Sequence, residues 1–249
     1  MTWKDLFSAQ SADYARFRPS YPPGLFDWLA DVAPGHELAV DVGTGNGQAA
    51  VALAEHFRKV IGLEPSAEQL EHAPPHPGVE YRQAAAEATG LPDAAVDLLL
   101  AAQAFHWFAR DAFFAETRRA VRHGGILALV CYGLSVISPQ VDRVVMTLYE
   151  DRLGPYWEPE RRLVETGYRG VAVPFPEIAV PAFNMRATWS PAELVGYLGT
   201  WSALARARAA EGRDPLQDLM PELEAAWDDA PTRVVTWPLA VRAFRLPGT

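Results

Sequence analysis

Between residues 37 and 131, short apolar runs alternate with stretches whose apolar positions recur at helical spacing. Glu37-Leu-Ala-Val-Asp41, Lys59-Val-Ile-Gly-Leu63 and Val79-Glu-Tyr-Arg82 read as strands. Asp97-Leu-Leu-Leu-Ala101 and Ile126-Leu-Ala-Leu-Val-Cys131 carry no polar face, which predicts a sheet covered on both sides. Helices are predicted over 48–57, 66–72 and 111–122. Val51, Leu53, Ala54 and Phe57 share one side of the first, and Phe113, Phe114, Thr117, Ala120 and Val121 one side of the last. The Pro-rich stretch 73–78 must be a loop, and His123-Gly-Gly125 reads as a turn. Such alternation of strand and helix predicts an α/β fold: a doubly wound, mostly parallel sheet with helices on both faces.

The rhythm changes after Gln140. A helix is predicted over 141–153, followed by a stretch to 176 that is rich in Pro, Trp and Arg and lacks a period. Helices over 191–210 and 216–227 and a last strand over 233–244 complete the chain. There is no internal repeat and no low-complexity segment, so one domain with an irregular and helical addition in its C-terminal third is expected.

The most informative residues lie between the first strand and the first helix: Asp41-Val-Gly43-Thr44-Gly45-Asn-Gly47. Glycines there allow a tight turn and close approach of the backbone to a ligand. Glu64 ends the next strand, where a carboxylate can accept both hydroxyls of an adenosine ribose. A dinucleotide fingerprint would place its third glycine at position 48, which is Gln48. An acid inside the loop also disfavours a pyrophosphate, which prefers a bare helix N-terminus. Asp41 suits a cation, and S-adenosylmethionine brings one in its α-amino group and carries no phosphate. The pattern therefore favours S-adenosylmethionine over NAD.

Composition narrows the classes further. Of 249 residues, 49% are apolar and 21% charged, which excludes a disordered, collagenous or disulfide-framed chain. A net charge of −9 disfavours binding to nucleic acid phosphates. Cys131 is the one cysteine, so no intrachain disulfide or Cys-based metal site can form, and no His/Asp/Glu set has ligand spacing; no metal is expected. The apolar stretches fall short of the roughly 18 residues needed to span a bilayer, and the first residues lack a signal core. A soluble, cytoplasmic protein that avoids membranes is the expectation.

A second cluster, Gln103-Ala-Phe-His106-Trp-Phe108, follows the buried strand at the carboxyl edge of the sheet, where open α/β folds bind ligands. Ala84-Ala-Ala86-Glu87, followed by Leu91-Pro92, lies at the equivalent edge of the third strand. Together with Tyr14-x-x-x-Arg18-Pro-x-Tyr-Pro22, Gly62-Leu-Glu64-Pro65-Ser66 and Gly124-Gly125, these stretches resemble class I S-adenosylmethionine-dependent methyltransferases. The closer likeness is to the small-molecule subgroup of trans-aconitate methyltransferase-like proteins. The resemblance spans essentially the whole chain. It implies a Rossmann-like sheet of seven strands with an antiparallel last strand. It also implies an N-terminal lid over 1–30, a cofactor-binding core over 31–140, a substrate-side addition over 141–230 and the final strand over 231–249.

Carried over residue by residue, the resemblance implies that Asp41, Gly43, Thr44 and Gly45 line the methionine and ribose side of the cofactor. Glu64, followed by Pro65, would hold the ribose hydroxyls. Gln69 would lie near the adenine ring and Ala86 with Glu87 at its edge. Gln103 would pass beneath the methionine part, His106 would face the methyl group or substrate, and Tyr14 and Arg18 would close over the cofactor carboxylate. Three positions depart from the family: Ala85 stands where an Asp often receives the adenine amino group, Gln69 where an apolar residue commonly packs, and His123 where Pro is usual.

Methyl transfer from a sulfonium is an in-line displacement, in which the protein chiefly holds the acceptor about 3 Å from the methyl carbon. A carboxylate acceptor arrives ionised, whereas a phenol or hydroxyl needs a base, for which His106 is the candidate. The expected function is S-adenosylmethionine-dependent methylation of a small molecule, at a carboxylate or hydroxyl oxygen. The alternatives are a catalytically silent module that binds the same cofactor and an NAD-dependent oxidoreductase. Arg161, Arg162 and Arg169 lie near Tyr156, Trp157 and Tyr168 in sequence, a composition that suits a small-molecule pocket as well as ordinary core and surface use. The remaining histidines are expected at the surface, and Trp189 and Trp201 in the core.

Overall fold

The computed structural model describes residues 17–248. Five strands, β1 (Leu38–Val42), β2 (Lys59–Glu64), β3 (Val79–Gln83), β4 (Val96–Ala102) and β5 (Val121–Tyr132), run parallel. The last strand, β8 (Arg233–Arg245), lies antiparallel beside β5, giving the order β3-β2-β1-β4-β5-β8. The apolar runs carry this arrangement through the two-residue period of the strand. In β4 and β5, Leu99, Ala101, Leu127, Leu129 and Cys131 pack on one face of the sheet with Phe113 and Phe114 of α4 (Arg110–Ala120). Leu98, Leu100, Ile126, Ala128 and Val130 face the other way, onto α1 (Pro23–Val32) and α2 (Gln48–Leu53). The helix α3 (Ala67–Glu71) is capped by Ser66, whose hydroxyl accepts from the Gln69 amide.

The sheet has eight strands rather than seven. Two further strands, β6 (Glu177–Ile178) and β7 (Asn184–Trp189), both pair antiparallel with β8. The 13 residues of β8 do two jobs in this sheet: from Leu239 onward they close the core against β5, and from Arg233 to Pro238 they pair with β7 as a branch off the main path. That first half roofs a separate apolar core built from Val235, Trp237, Met185 and the C-terminal helices. These are α5 (Pro139–Met146), continued by a wide π turn at Thr147–Arg152, α7 (Pro191–Gly199), α8 (Ser202–Glu211), α9 (Pro215–Asp218) and α10 (Met220–Trp227); the short helix between them, α6 (Arg161–Glu165), instead packs Val164 into the core under the main sheet.

Two predicted helices are each divided. The 191–210 helix breaks at Gly199–Trp201, where Trp201 turns extended and buries its ring against Tyr149 and Trp157. The 216–227 helix breaks at Leu219, because Pro221 has no N–H to continue the ladder. His123-Gly-Gly125 lies inside β5 as an irregularity rather than between elements. Gly124 takes a φ of 76° there, and a Cβ on Gly125 would come 2.5 Å from Val121 Cγ1. Among the described residues, no helix is long and apolar enough to cross a membrane, and no group of His, Cys, Asp and Glu could hold a metal ion.

Candidate active site

The carboxyl ends of β1, β2 and β3 meet around the glycine loop. Gly43, Gly45 and Gly47 all have positive φ (70°, 56° and 82°), a backbone that side chains rarely adopt. Space is restricted as well: a Cβ at Gly43 would come 2.5 Å from Ala104 Cβ, and one at Gly47 would collide with the Tyr81 hydroxyl. The loop is hung on β2 by the Gly43 and Thr44 amides, which both donate to Leu63 O (2.8 and 3.0 Å).

Asp41, Thr44, Gly45 and Glu64 converge as the sequence predicts. Asp41 is 1% exposed, and its Oδ2 accepts from the Thr44 hydroxyl at 2.6 Å. Its other oxygen, Oδ1, is buried with no hydrogen-bond partner among the described residues. Burial raises the Asp41 carboxyl to about 7, against the opposing Thr44 hydrogen bond, with the help of the Glu64 charge and against a smaller pull from the Ala50 backbone N–H in the first turn of α2. Glu64 is buried too and is oriented by two backbone donors, Gly45 N to Oε2 (3.0 Å) and Ser66 N to Oε1 (3.1 Å).

Tyr81 of β3 is absent from the sequence-predicted set. Its ring crosses β2 over Gly62, where a Cβ would lie 2.9 Å from Tyr81 Cδ1, and its buried hydroxyl has no hydrogen-bond partner among the described residues. Glycine within the apolar run Lys59–Glu64 was the one available signal, since a strand glycine marks close approach. Burial, then the Asp41 charge, raises the Tyr81 hydroxyl above its usual range.

Around this loop, the Gln69 amide oxygen reaches Gly45, 3.1 Å from where a Cβ would be. Pro65 accepts from the Gln83 amide at 2.9 Å. Ala86 is buried, and the Glu87 carboxylate accepts from the Ala109 amide at 2.6 Å, tying the edge of β3 to the start of α4. Gln103 has a φ of 56°, and both ends of its side-chain amide bind the backbone of Tyr132, donating to the carbonyl (3.0 Å) and accepting from the N–H (3.1 Å). It clips the end of β4 to β5 and aims the Phe105–Trp107 turn that carries His106. Arg18 donates to the Tyr132 hydroxyl at 3.1 Å and lies over the Tyr197 ring. Tyr14 lies outside the described residues.

The His106 ring contacts Trp107 and Tyr168, with Nδ1 3.1 Å from the Tyr168 hydroxyl. Burial, and secondarily the Arg161 charge, push the imidazole down to about 3. It is therefore neutral throughout the physiological range. Cys131 behind it is pushed up to about 12 by burial and is a packing residue. The other histidines lie at or near the surface; His36 Nε2 meets Ala30 O at 3.0 Å and its ring packs on Phe57. Trp201 belongs to the C-terminal core, with Trp189 packed at its margin.

This arrangement matches known proteins. Residues 40–129 match the family model described as a methyltransferase domain. A candidate methyltransferase of Dictyostelium discoideum is 36% identical over 227 residues, covering 90% of this chain and 86% of that one. A protein of Saccharomyces cerevisiae named for S-adenosylmethionine-dependent methyl transfer is 27% identical over 178 residues, 65% of this chain and 60% of that one. Among solved structures, a candidate type II methyltransferase from Anaeromyxobacter dehalogenans superposes with a TM-score of 0.88 at 47% identity, covering 94% of this chain and all of that one. The trans-aconitate-like subgroup stays a likeness of motifs. A glycine cradle flanked by two buried carboxylates, on a sheet of this order and with these relatives, identifies the chain as a member of the class I S-adenosylmethionine-dependent methyltransferases.

Proposed function

We propose that this enzyme transfers the methyl group of S-adenosylmethionine to a carboxylate oxygen of a small-molecule acceptor. The observation that carries the choice of carboxylate is His106, the candidate base of the second cluster. A group held down near 3 is too weak a base to take a proton from a phenol or alcohol at neutral pH, and its Nδ1 is engaged with Tyr168. A carboxylate needs no base, because it is ionised well below neutrality.

The residues fit the cofactor. The unpartnered Asp41 Oδ1 is a buried acceptor that an ammonium would satisfy, and the loop glycines leave a cradle that side chains would fill. In this reading Asp41, Gly43, Thr44 and Gly45 receive the methionine end and Glu64 the ribose hydroxyls. Gln69, Ala86 and Glu87 border the adenine, and Arg18 and Tyr14 belong to an N-terminal lid. The bound cofactor supplies an electrophilic methyl on a sulfonium. The protein supplies alignment and exclusion of water. Gln103 acts by positioning the 104–107 turn, and His106 as a neutral hydrogen-bonding wall. The segment 141–230 forms the acceptor side, and we take the enzyme to be a cytoplasmic one that acts on free metabolites rather than nucleic acid.

Incubation with labelled cofactor and a panel of carboxylic acids, phenols and amines is expected to give label released by mild base, as methyl esters are. Base-stable label on phenols or amines alone would reject the carboxylate. Cofactor binding with no acceptor turned over would favour the silent module. At saturating cofactor, His106→Gln is expected to lower kcat by less than tenfold and leave its pH profile flat from pH 6 to 9. A general base would instead cost roughly 10²–10⁴-fold. A loss of that size, with an acidic limb present only in the unsubstituted enzyme, would restore His106 as the base.

A further inference from the structure

Arg161 opens α6, which packs against β5 and against the Phe105–Trp107 turn, beside the carboxyl edge where the methyl must be delivered. It is half-buried, and its guanidinium lies 5.1 Å from the centre of the Trp157 ring and 5.6 Å from that of Tyr149. Its Nε donates to the Tyr149 hydroxyl at 3.1 Å. Among the described residues no carboxylate forms an ion pair with it. Glu165, one turn further along α6, is instead the acceptor for the Tyr149 hydroxyl. The neighbouring arginine of this region, Arg206, does have its carboxylate, Glu158 at 2.7 Å.

The Arg161 charge also points inward. It acts on His106, on Cys131 and Tyr168 of the core under the sheet, and on Tyr149 and Tyr197 of the C-terminal core, so the guanidinium stands where the two cores meet. Arg18 approaches the same Tyr197 ring from the N-terminal side, at 5.5 Å. The walls are aromatic: Tyr149, Trp157 and Trp201 stand 4.8 to 5.8 Å apart, centre to centre, and Trp157 is half-buried. A planar cation held in a fixed fork by aromatic faces, with no ion-paired carboxylate among the described residues, is the group that recognises a carboxylate by two parallel hydrogen bonds. Aromatic walls prefer a flat apolar body beside it.

We propose that Arg161 seats the carboxylate of the acceptor and that the acceptor is a small carboxylic acid with a planar, apolar body. The inference rests on the carboxylate reading above and adds to it the residue and the shape that select the substrate. Arg161 touches the acceptor, whereas Tyr149 and Trp157 hold the guanidinium in place.

The test is calorimetric titration of the S-adenosylhomocysteine-saturated protein with benzoate and trans-cinnamate, with cinnamamide as the neutral counterpart. Arg161→Met keeps the length and apolar stem that pack on Trp157, and Arg161→Lys keeps the charge. The expected result is binding of at least one of the two acids, weakened at least 20-fold by Arg161→Met and recovered in part by Arg161→Lys. Cinnamamide should bind weakly and equally to all three proteins. For any carboxylate that is turned over, KM should rise by a similar factor in Arg161→Met while kcat stays within about threefold, the pattern of a lost uniform binding contact. Failure of both acids to bind, or equal binding by the wild type and Arg161→Met at matched thermal stability, overturns the proposal. Arg161-dependent binding without methyl transfer to any carboxylate would leave the seat standing and reject the carboxylate reaction. Methylation of carboxylates with KM unchanged by Arg161→Met would do the reverse.

Discussion

Replacing Asp97 by Ala is expected to cost about 3–5 kcal/mol of stability, the usual loss on breaking a buried, hydrogen-bonded ion pair. Asp97 is the second residue of β4 and is fully buried. Its Oδ2 accepts from the amides of Glu37 and Leu38, both at 2.9 Å, and its Oδ1 pairs with Arg122 Nη1 at 2.6 Å. One side chain thus ties the leading ends of β1, β4 and β5. The Arg122 side chain is 43% exposed, so its attraction is screened, and Arg122→Ala should cost only about 1 kcal/mol or less. The larger part comes from the carboxylate itself, which is fully buried and holds two backbone amides that would lose their acceptor. Asp97→Asn, which keeps one acceptor oxygen, should fall between the two. For a chain of this size, the alanine change corresponds to a fall in Tm of roughly 6–20 °C. Asp97 lies at the edge of the sheet remote from the glycine loop, about 20 Å along β4 from Gln103 at the strand rise. Cofactor affinity of the folded variant should therefore be unchanged. Urea unfolding with a loss below 1 kcal/mol, or a folded variant with weakened cofactor binding, would contradict this account.

Asp97 also shows where sequence reading succeeds and stops. The strand it lies in is legible as an apolar run, and the same holds for β1, β2, β5 and β8, because burial on both faces leaves a continuous apolar signature. The convergence of Asp41, the loop glycines and Glu64 is legible as well, since it follows from a local strand–turn–helix and the end of the neighbouring strand. What Asp97 binds is not legible: its partners are about 60 positions upstream and 25 downstream, and nothing local announces them. Gln103 is similar, because its two bonds to Tyr132 cross 29 positions.

β7 does carry a period-two signal, with Met185 buried between exposed Asn184 and Arg186, but the prolines around it mask the run. Arg161 could be named from sequence only as one of three arginines near aromatic residues. Its distinction, an aromatic bracket with no ion-paired carboxylate among the described residues, is a property of packing. Tyr81 enters the site through its partner rather than itself: Gly62 makes the room its ring needs to cross β2.

Between pH 5 and 7, affinity for S-adenosylmethionine is expected to rise about 50-fold, and Asp41→Asn to abolish that rise. The free protein holds the Asp41 carboxyl at about 7, mainly through burial, whereas the usual value is 3.8. An ammonium beside the unpartnered Oδ1 favours the ionised form, so below pH 7 binding must first remove a proton. The ligand's own amine, with an ordinary value near 7.7–8.0, stays cationic across this window. The stability of the cofactor-free protein should run the other way. A folded value raised above the unfolded one means that the folded state binds the proton more tightly. Stability is then greatest below pH 4 as far as this group is concerned, and is lost as the pH climbs to 7. At about 1.4 kcal/mol per tenfold in proton affinity, the loss is on the order of 4 kcal/mol. Asparagine cannot ionise, so Asp41→Asn should unfold later at pH 8, by about 1–3 kcal/mol once its unpartnered amide is allowed for. It should also bind S-adenosylmethionine more than tenfold more weakly at that pH. Titrations at pH 6 in buffers of different ionisation enthalpy should register close to one proton released per cofactor bound, and none in the variant. A variant that is both less stable at pH 8 and unchanged in cofactor affinity would show that Asp41 is kept for packing. The opposite signs expected here are those of a residue whose burial costs the fold stability and serves the ligand.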